Sequence, residues 1–424
     1  MSFPKVRQAR IDIRLWNRAM SSAYKIRIAS SLNGIDAARW DRCANPLAYG
    51  AGDLDGSIAG LVCARQGERF NPFVTHAFLT ALETTQCVGP KTGWNPCHVL
   101  VEDGQGRLVA AAPTYVKTHS MGEYVFDYGW AEAYERNGLD YYPKLQVAVP
   151  FTSATGRRLL VSDEGGADAQ EALIGGLRAW RQRIEASSIH VTFATRDEWE
   201  AMGKAGFLQR TGQQFHFINK GYGDFEAFLS DLASRKRKMI RRERKDALAN
   251  DIEIELLTGA AIKEAHWDAF FEFYMDTGAR KWGHPYLTRA FFSQVGATMA
   301  AHILLVMAKR KGRYIAGAIN FIGKDALYGR NWGSIEEHPF LHFEVCYYQA
   351  IEYAITHGLS RVEAGAQGEH KLARGYGAVP TYSAHDIADR RFARAIDEFL
   401  ARERVAVDES LDEYAELAPF KKEG

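Results

Sequence analysis

An internal repeat constrains this chain more than any other feature of its sequence. Residues 71–82, NPFVTHAFLTAL, align with residues 284–295, HPYLTRAFFSQV, so that Pro72, Thr75, Ala77 and Phe78 meet Pro285, Thr288, Ala290 and Phe291. Self-similarity of this kind means that one supersecondary plan is used twice. Downstream, residues 98–115 parallel residues 302–321, and each reads as a strand, a glycine-containing turn and a second strand. Further on, residues 186–193 take the place of residues 359–366, each following an amphipathic helix. In the first helix Leu173, Leu177, Trp180 and Ile184 recur at helical steps; in the second Phe343, Tyr347, Ala350 and Ala354 do. The boundary is expected at 219–223, where two glycines precede a helix-starting Asp224. The expected plan is a basic extension over 1–24, modules over 25–220 and 221–405, and a tail over 406–424.

With 424 residues, 46% hydrophobic and 12% aromatic, the chain can pack two such cores and is not of disordered composition. A net charge of +1 gives no global reason to bind polyanions. The five cysteines show no paired spacing, which argues against a zinc site and suits reduced thiols in a cytoplasm. No apolar run approaches the length of a membrane-spanning helix. The basic N-terminal residues lack a following apolar segment, so they read as a loose extension.

Several constellations could carry chemistry. Glu344 falls between Ile351 and Ile355 inside the apolar arc of its helix, away from Gln349, Glu352 and Thr356. Such an inward carboxylate is either a base or half of an ion pair with a nearby arginine. After Val362 a strand end runs through small residues into Gln367, Glu369, His370, Lys371, Arg374 and Tyr376. There Glu369 or His370 would act as base, while Lys371 and Arg374 would clamp an anionic donor. Lys281 with Trp282, Arg330 with Trp332, and Asp127 with Trp130 suit either sugar or amide recognition or plain surface packing. Residues 151–158, with hydroxyls, Gly156 and Arg157, form either an anion nest or an ordinary loop.

Asp224 is expected to cap one helix whose buried stripe is Phe225, Phe228, Leu229 and Leu232, resumed by Met239 and Ile240. Its continuation, residues 234–245, holds eight Lys/Arg and one Glu. Arg235, Lys238, Arg242 and Lys245 on it are candidates for contact with phosphate. Three readings stay open: an RNA or phosphate face, an anionic membrane or lipid-linked precursor contact, and a solvated face.

Beyond these patterns, residues 122–134, 149–160, 234–247, 276–287, 327–333, 342–355 and 362–385 resemble the Fem-like predicted N-acyltransferases of peptidoglycan biosynthesis or recognition. The resemblance implies an α/β (α+β) fold of two tandem GNAT-like modules, as in Fem-type aminoacyltransferases. It also implies transfer of an acyl or aminoacyl group to an amine, with acyl-CoA or aminoacyl-tRNA as co-substrate and no tightly bound cofactor. The acceptor would be a small molecule or cell-wall precursor; tRNA and an anionic membrane surface are further expected partners. The rival reading is a non-catalytic GNAT-fold protein that binds RNA or a phosphate-bearing lipid-linked precursor. Two departures stand out. Residues 333–342 carry Glu336 and Glu337 where CoA-binding GNAT enzymes place a glycine-rich pyrophosphate loop. The Fem-type K-x-x-F-G element is Lys371-Leu-Ala-Arg374-Gly375 here.

Overall fold

The structure is a computed structural model describing residues 10–11, 24–46, 70–281, 285–365 and 368–421. The chain divides into two compact units: residues 1–212 with 381–405, and residues 213–380 with 406–424.

Both copies of the repeated segment become helices that start in the same way. Thr75 caps His76–Thr84 by accepting from the Phe78 N–H at 3.2 Å, and Thr288 caps Arg289–Met299 by accepting from Phe291 N–H at 3.3 Å. A threonine hydroxyl satisfies one of the donors that a helix start leaves unpaired.

In the first unit, strands β1 (Lys25–Ala29), β2 (His98–Glu102) and β3 (Leu108–Ala112) pair antiparallel in that order. Strand β4 (Thr114–Lys117) pairs antiparallel with β5 (Lys144–Val147). Helix α1 (Gly166–Arg183) then crosses over to β6 (Ser188–Ala194), which is parallel to β5 with Leu145 opposite Ile189 and Val147 opposite Val191. Leu173, Leu177 and Trp180 of α1 are buried with Val99, Leu145, Val147 and Val191, as their spacing requires.

The second unit repeats the plan. Helix α2 (Ser234–Ala247) leads to β7 (Ile252–Thr258), and α3 (Glu264–Lys281) follows. Strands β7, β8 (Ile303–Arg310), β9 (Arg313–Ile322) and β10 (Ala326–Ser334) form an antiparallel meander. A helical segment with a π-helical turn at Glu344–Tyr348 and helix α4 (Gln349–Thr356) crosses over to β11 (Arg361–Glu363). Strand β11 is parallel to β10 and antiparallel to the strand end His216–Ile218. Gly333 is required near the end of β10, because a Cβ there would lie 2.1 Å from the Phe273 carbonyl oxygen of α3.

Two expectations differ from the structure. The stretch after Asp224 is not one helix: Phe225–Asp231 ends at Leu232, which is extended, and α2 starts anew. Leu232 bridges Phe420 and the Ala233 N–H donates to the Pro419 carbonyl at 2.9 Å, so this break is pinned by the C-terminal segment. Residues 381–405, read from sequence as part of the second module, group with the first unit. Ser383–Ile387 pair with β6, and Ile396 and Leu400 pack with Trp130, Tyr134 and Tyr141.

Candidate functional site

Strands β10 and β11 stay paired only through Tyr328 and Glu363, after which β10 continues to Ser334 paired with β9 on its other side. Parallel strands that part at their carboxyl ends leave an opening, the usual place for a ligand in such sheets. Arg330 is the extra residue of a bulge here, since Gly329 faces Asn320 and Asn331 faces Ile319. Trp332, further along, packs against the His342 ring at 5.2 Å, rather than making the expected pair with Arg330 its main contact.

Beyond β11 the chain passes Ala364 and Gly365 and forms a 3₁₀ turn, Glu369–Arg374, closed by Gly375 in the left-handed region at φ 91°. A Cβ at Gly375 would also meet the Phe228 ring at 2.6 Å, so both conformation and space call for glycine. This turn buries Lys371, whose Nζ donates to the Gly365 carbonyl at 3.1 Å. Burial pushes the Lys371 ammonium down to about 8. Five residues further on, the fully buried Tyr376 hydroxyl has no hydrogen-bond partner among the described residues. Burial raises that phenol well above its ordinary value. The Tyr347 ring lies 5.6 Å from the Tyr376 ring and 6.0 Å from Lys371 Nζ, and its hydroxyl meets His370 Nε2 at 2.9 Å. Cys346 is within electrostatic reach of Lys371, Tyr347 and Tyr376. A π-helical turn supplies Cys346 and Tyr347, an irregularity frequent where a helix presents functional side chains.

The other expected members are differently engaged. Arg374 does not sit free beside Lys371: it is buried, forks onto Glu243 at 2.8 and 3.1 Å, and donates to the His370 carbonyl at 2.7 Å. Its guanidinium also stacks 3.4 Å from the Phe343 ring centroid. Glu344 is fully buried and accepts from Arg244 at 2.9–3.2 Å and from Gln349 at 2.7 Å, which is the ion-pair alternative. Glu369 is exposed and accepts from the Tyr414 hydroxyl at 2.7 Å. Gln367, Trp282 and the Lys281 side chain lie outside the described residues.

Residues 31–422 match the model of the FemAB-like family, described as peptidoglycan biosynthesis/recognition. The chain belongs to the FemAB-like family. In both units of this FemAB-like chain a meander, a crossover helix and a parallel strand follow in order, which is the tandem GNAT-like plan. Among solved structures it is similar to FemX, at 13% identity over 75% of this chain and 94% of that one, with a TM-score of 0.47. It is also similar to a tandem GNAT protein from the clavulanic acid biosynthesis pathway, at 12% identity over 86% and 99% of the two chains, TM-score 0.44. L-PGS from Bacillus licheniformis is a third, at 8% identity over 80% and 99%, TM-score 0.48. Comparison with curated proteins gives no match.

The first unit of the FemAB-like chain holds a second polar cluster that sequence reasoning found only in part. Asp127 is buried, accepts from Tyr141 hydroxyl at 2.5 Å and pairs with Lys144, which also donates to Glu123 at 2.8 Å and Ser120 at 2.8 Å. Burial alone would raise the Asp127 carboxyl, but Lys144 beside it prevails and holds it down at about 2. Lys117 lies 3.5 Å from Glu123 and is pushed by burial down to about 7. Trp130 does not pair with Asp127; it stacks on His190 at 6.0 Å and meets His385 edge-on at 5.0 Å. Those histidines share a 2.7 Å Nδ1–Nδ1 hydrogen bond, and burial pushes His190 down to about 3. The missed residues left little signal: Lys117 and Lys144 stand at the ends of the strands TYVK and KLQV, and His190 lies in a strand that also holds Ser188 and Thr192.

Arg157 forms no anion nest, because its donors go to the carbonyls of Cys43 at 2.8 Å and Val161 at 2.9 Å. On α2, Ile240, Glu243 and Ala247 are buried, whereas Arg235, Lys238, Arg242 and Lys245 are exposed.

Proposed function

We propose that this chain transfers an acyl or aminoacyl group from an activated ester or thioester to an amine, at the opening between β10 and β11. Lys371 carries the reading: it is a buried amine with one acceptor among the described residues, at the carboxyl end of parted parallel strands. With its ammonium near 8, about a tenth of Lys371 is neutral at pH 7, against less than about a thousandth for an ordinary lysine. Neutral Lys371 accepts a proton from the attacking amine as the C–N bond forms. The resulting ammonium returns that proton to the departing oxygen or sulfur as the old acyl bond breaks. The Tyr376 hydroxyl, without a partner among the described residues, is a donor for the developing oxyanion. His370, paired with Tyr347, is the second acid–base candidate.

The family description supports a cell-wall precursor amine as acceptor. For the donor, the segment before the crossover helix favours an aminoacyl ester such as aminoacyl-tRNA over acyl-CoA. Residues 333–342 hold Glu336 and Glu337 where glycine amides would cradle a pyrophosphate, and Glu336 is held there by Arg310 at 3.0 Å and His338 at 2.9 Å. The test is single-turnover transfer from CoA esters and charged tRNA to amino-sugar precursors. Lys371→Ala and Lys371→Arg should each lower the rate roughly 10²–10⁴-fold, since guanidinium does not deprotonate. Unchanged turnover in both variants, with native thermal melts, would sink the assignment and favour the non-catalytic binding reading.

A further inference from the structure

We propose that α2 docks this chain on an anionic lipid bilayer as a peripheral, electrostatic contact. The helix holds eight Lys/Arg and two acids, and it sorts them by face. Its inner side belongs to the protein: Ile240 and Ala247 are in the core, Glu243 holds Arg374, and Arg244 holds Glu344 and Glu352. On the outer side Arg235, Lys238, Arg242 and Lys245 follow at steps of three, four and three, which is a single line along a helix. That line is roughly 15 Å long.

These charges are unspent. Arg235, Lys238 and Lys245 have no ion pair among the described residues, and Arg242 has only Asp246 at 3.4 Å, with its own side chain 82% exposed. Exposed pairs of that kind bind weakly and exchange readily. A solvated helix face ordinarily interleaves acids with its bases at helical spacing; here the helix's single glutamate points inward.

Shape and chemistry select a bilayer over a nucleic acid. A helix is a convex cylinder, and a cylinder touches a plane along one line, as these four cations are arranged. Proteins that track a nucleic-acid strand use a positive groove with interleaved aromatic rings. The exposed residues of α2 include no aromatic side chain. One further step of three along the same line stands Leu248, a leucine 40% exposed at the helix end. It suits shallow insertion beside headgroups. The contact is peripheral, because the apolar face of α2 is committed to the core and no helix among the described residues is long and apolar enough to cross a membrane. Since the same helix braces Arg374 and Glu344 from inside, docking sets the Lys371 turn on a bilayer-held helix.

The test uses the full chain in co-sedimentation with vesicles of phosphatidylcholine alone or with one-third phosphatidylserine. Binding is expected only to the mixed vesicles and is lost at high salt. The combined variant Arg235→Gln, Lys238→Gln, Arg242→Gln, Lys245→Gln should lower the partition coefficient by roughly two to three orders of magnitude, at about fivefold per cation. Leu248→Ser should lower it a few-fold. All these side chains are exposed, and unchanged thermal melting shows that the variants remain folded. Three results overturn the proposal: equal affinity for neutral vesicles or for none, a combined variant that binds as the parent does, or displacement from mixed vesicles by equimolar RNA.

Discussion

The two units make the same parallel-strand opening and finish it in opposite ways. At the end of β6, Arg158 is buried and gives its donors to the carbonyls of Thr192, Gly156, Arg157 and Ala154 at 2.7–3.1 Å. Glu198 closes the same loop by accepting from the Arg158 and Leu159 N–H groups at 2.7–3.0 Å. At the equivalent end of β11, among the described residues, Lys371 has one carbonyl partner and the Tyr376 hydroxyl has none. A loop end whose donors are spent on backbone carbonyls has little left to offer a ligand. An opening that retains unspent polar capacity is where a ligand gains something by entering. On the proposed function, the second unit is the one that acts.

That contrast can be broken in several ways. Lys144→Met strands Glu123 and Asp127 as buried carboxylates and should cost about 3–5 kcal/mol in urea unfolding. Turnover per folded molecule should not change; a selective fall in kcat would give the first unit a catalytic role. Arg158→Met should cost roughly 2–3 kcal/mol, as several buried carbonyls lose their donor, again with KM and kcat retained. Glu243→Gln weakens the fork on Arg374 from within the active unit. It should cost about 1–2 kcal/mol and also lower kcat, because the turn bearing Lys371 loosens.

The pH profile sharpens the comparison. The rate should climb with pH and level off above about 8, since only neutral Lys371 accepts a proton. The stability sign follows: Lys371 is lowered on folding, so the unfolded chain holds its proton longer, and stability rises with pH from about 8 to the ordinary lysine range. Calorimetric scans of Lys371→Met should lack that rise. Tyr376→Phe should have the smallest effect on stability, neutral to slightly favourable, while reducing turnover about tenfold. A destabilised Tyr376→Phe with normal turnover would mean that the hydroxyl serves the fold.

Much of the fold could be read before the structure. The Thr75 and Thr288 caps, the Asp224 cap with Ala227 N–H at 2.7 Å, and the inward Leu173, Leu177 and Trp180 are short-range features. For the candidate site the sequence offered only closeness along the chain after Val362; that His370 and Tyr376 each meet Tyr347 came from the structure. Its electrostatics were not readable. Arg374 looked like a clamp because Glu243, its partner, is 131 residues away, and Glu344 stayed ambiguous because Arg244 is 100 residues away.

The sequence by itself determined where several helices begin, as at Thr75, Thr288 and Asp224, which faces they bury, and that the pattern occurs twice. Capping, alternation and helical spacing act over a few residues and need no partner from elsewhere. Only the tertiary structure decided which charges are spent and which remain: Arg158 and Arg374 silenced, Lys371 left nearly alone, the outer line of α2 open. Such pairing depends on distant segments meeting in one place, and burial then sets how strongly each unpaired group seeks a ligand.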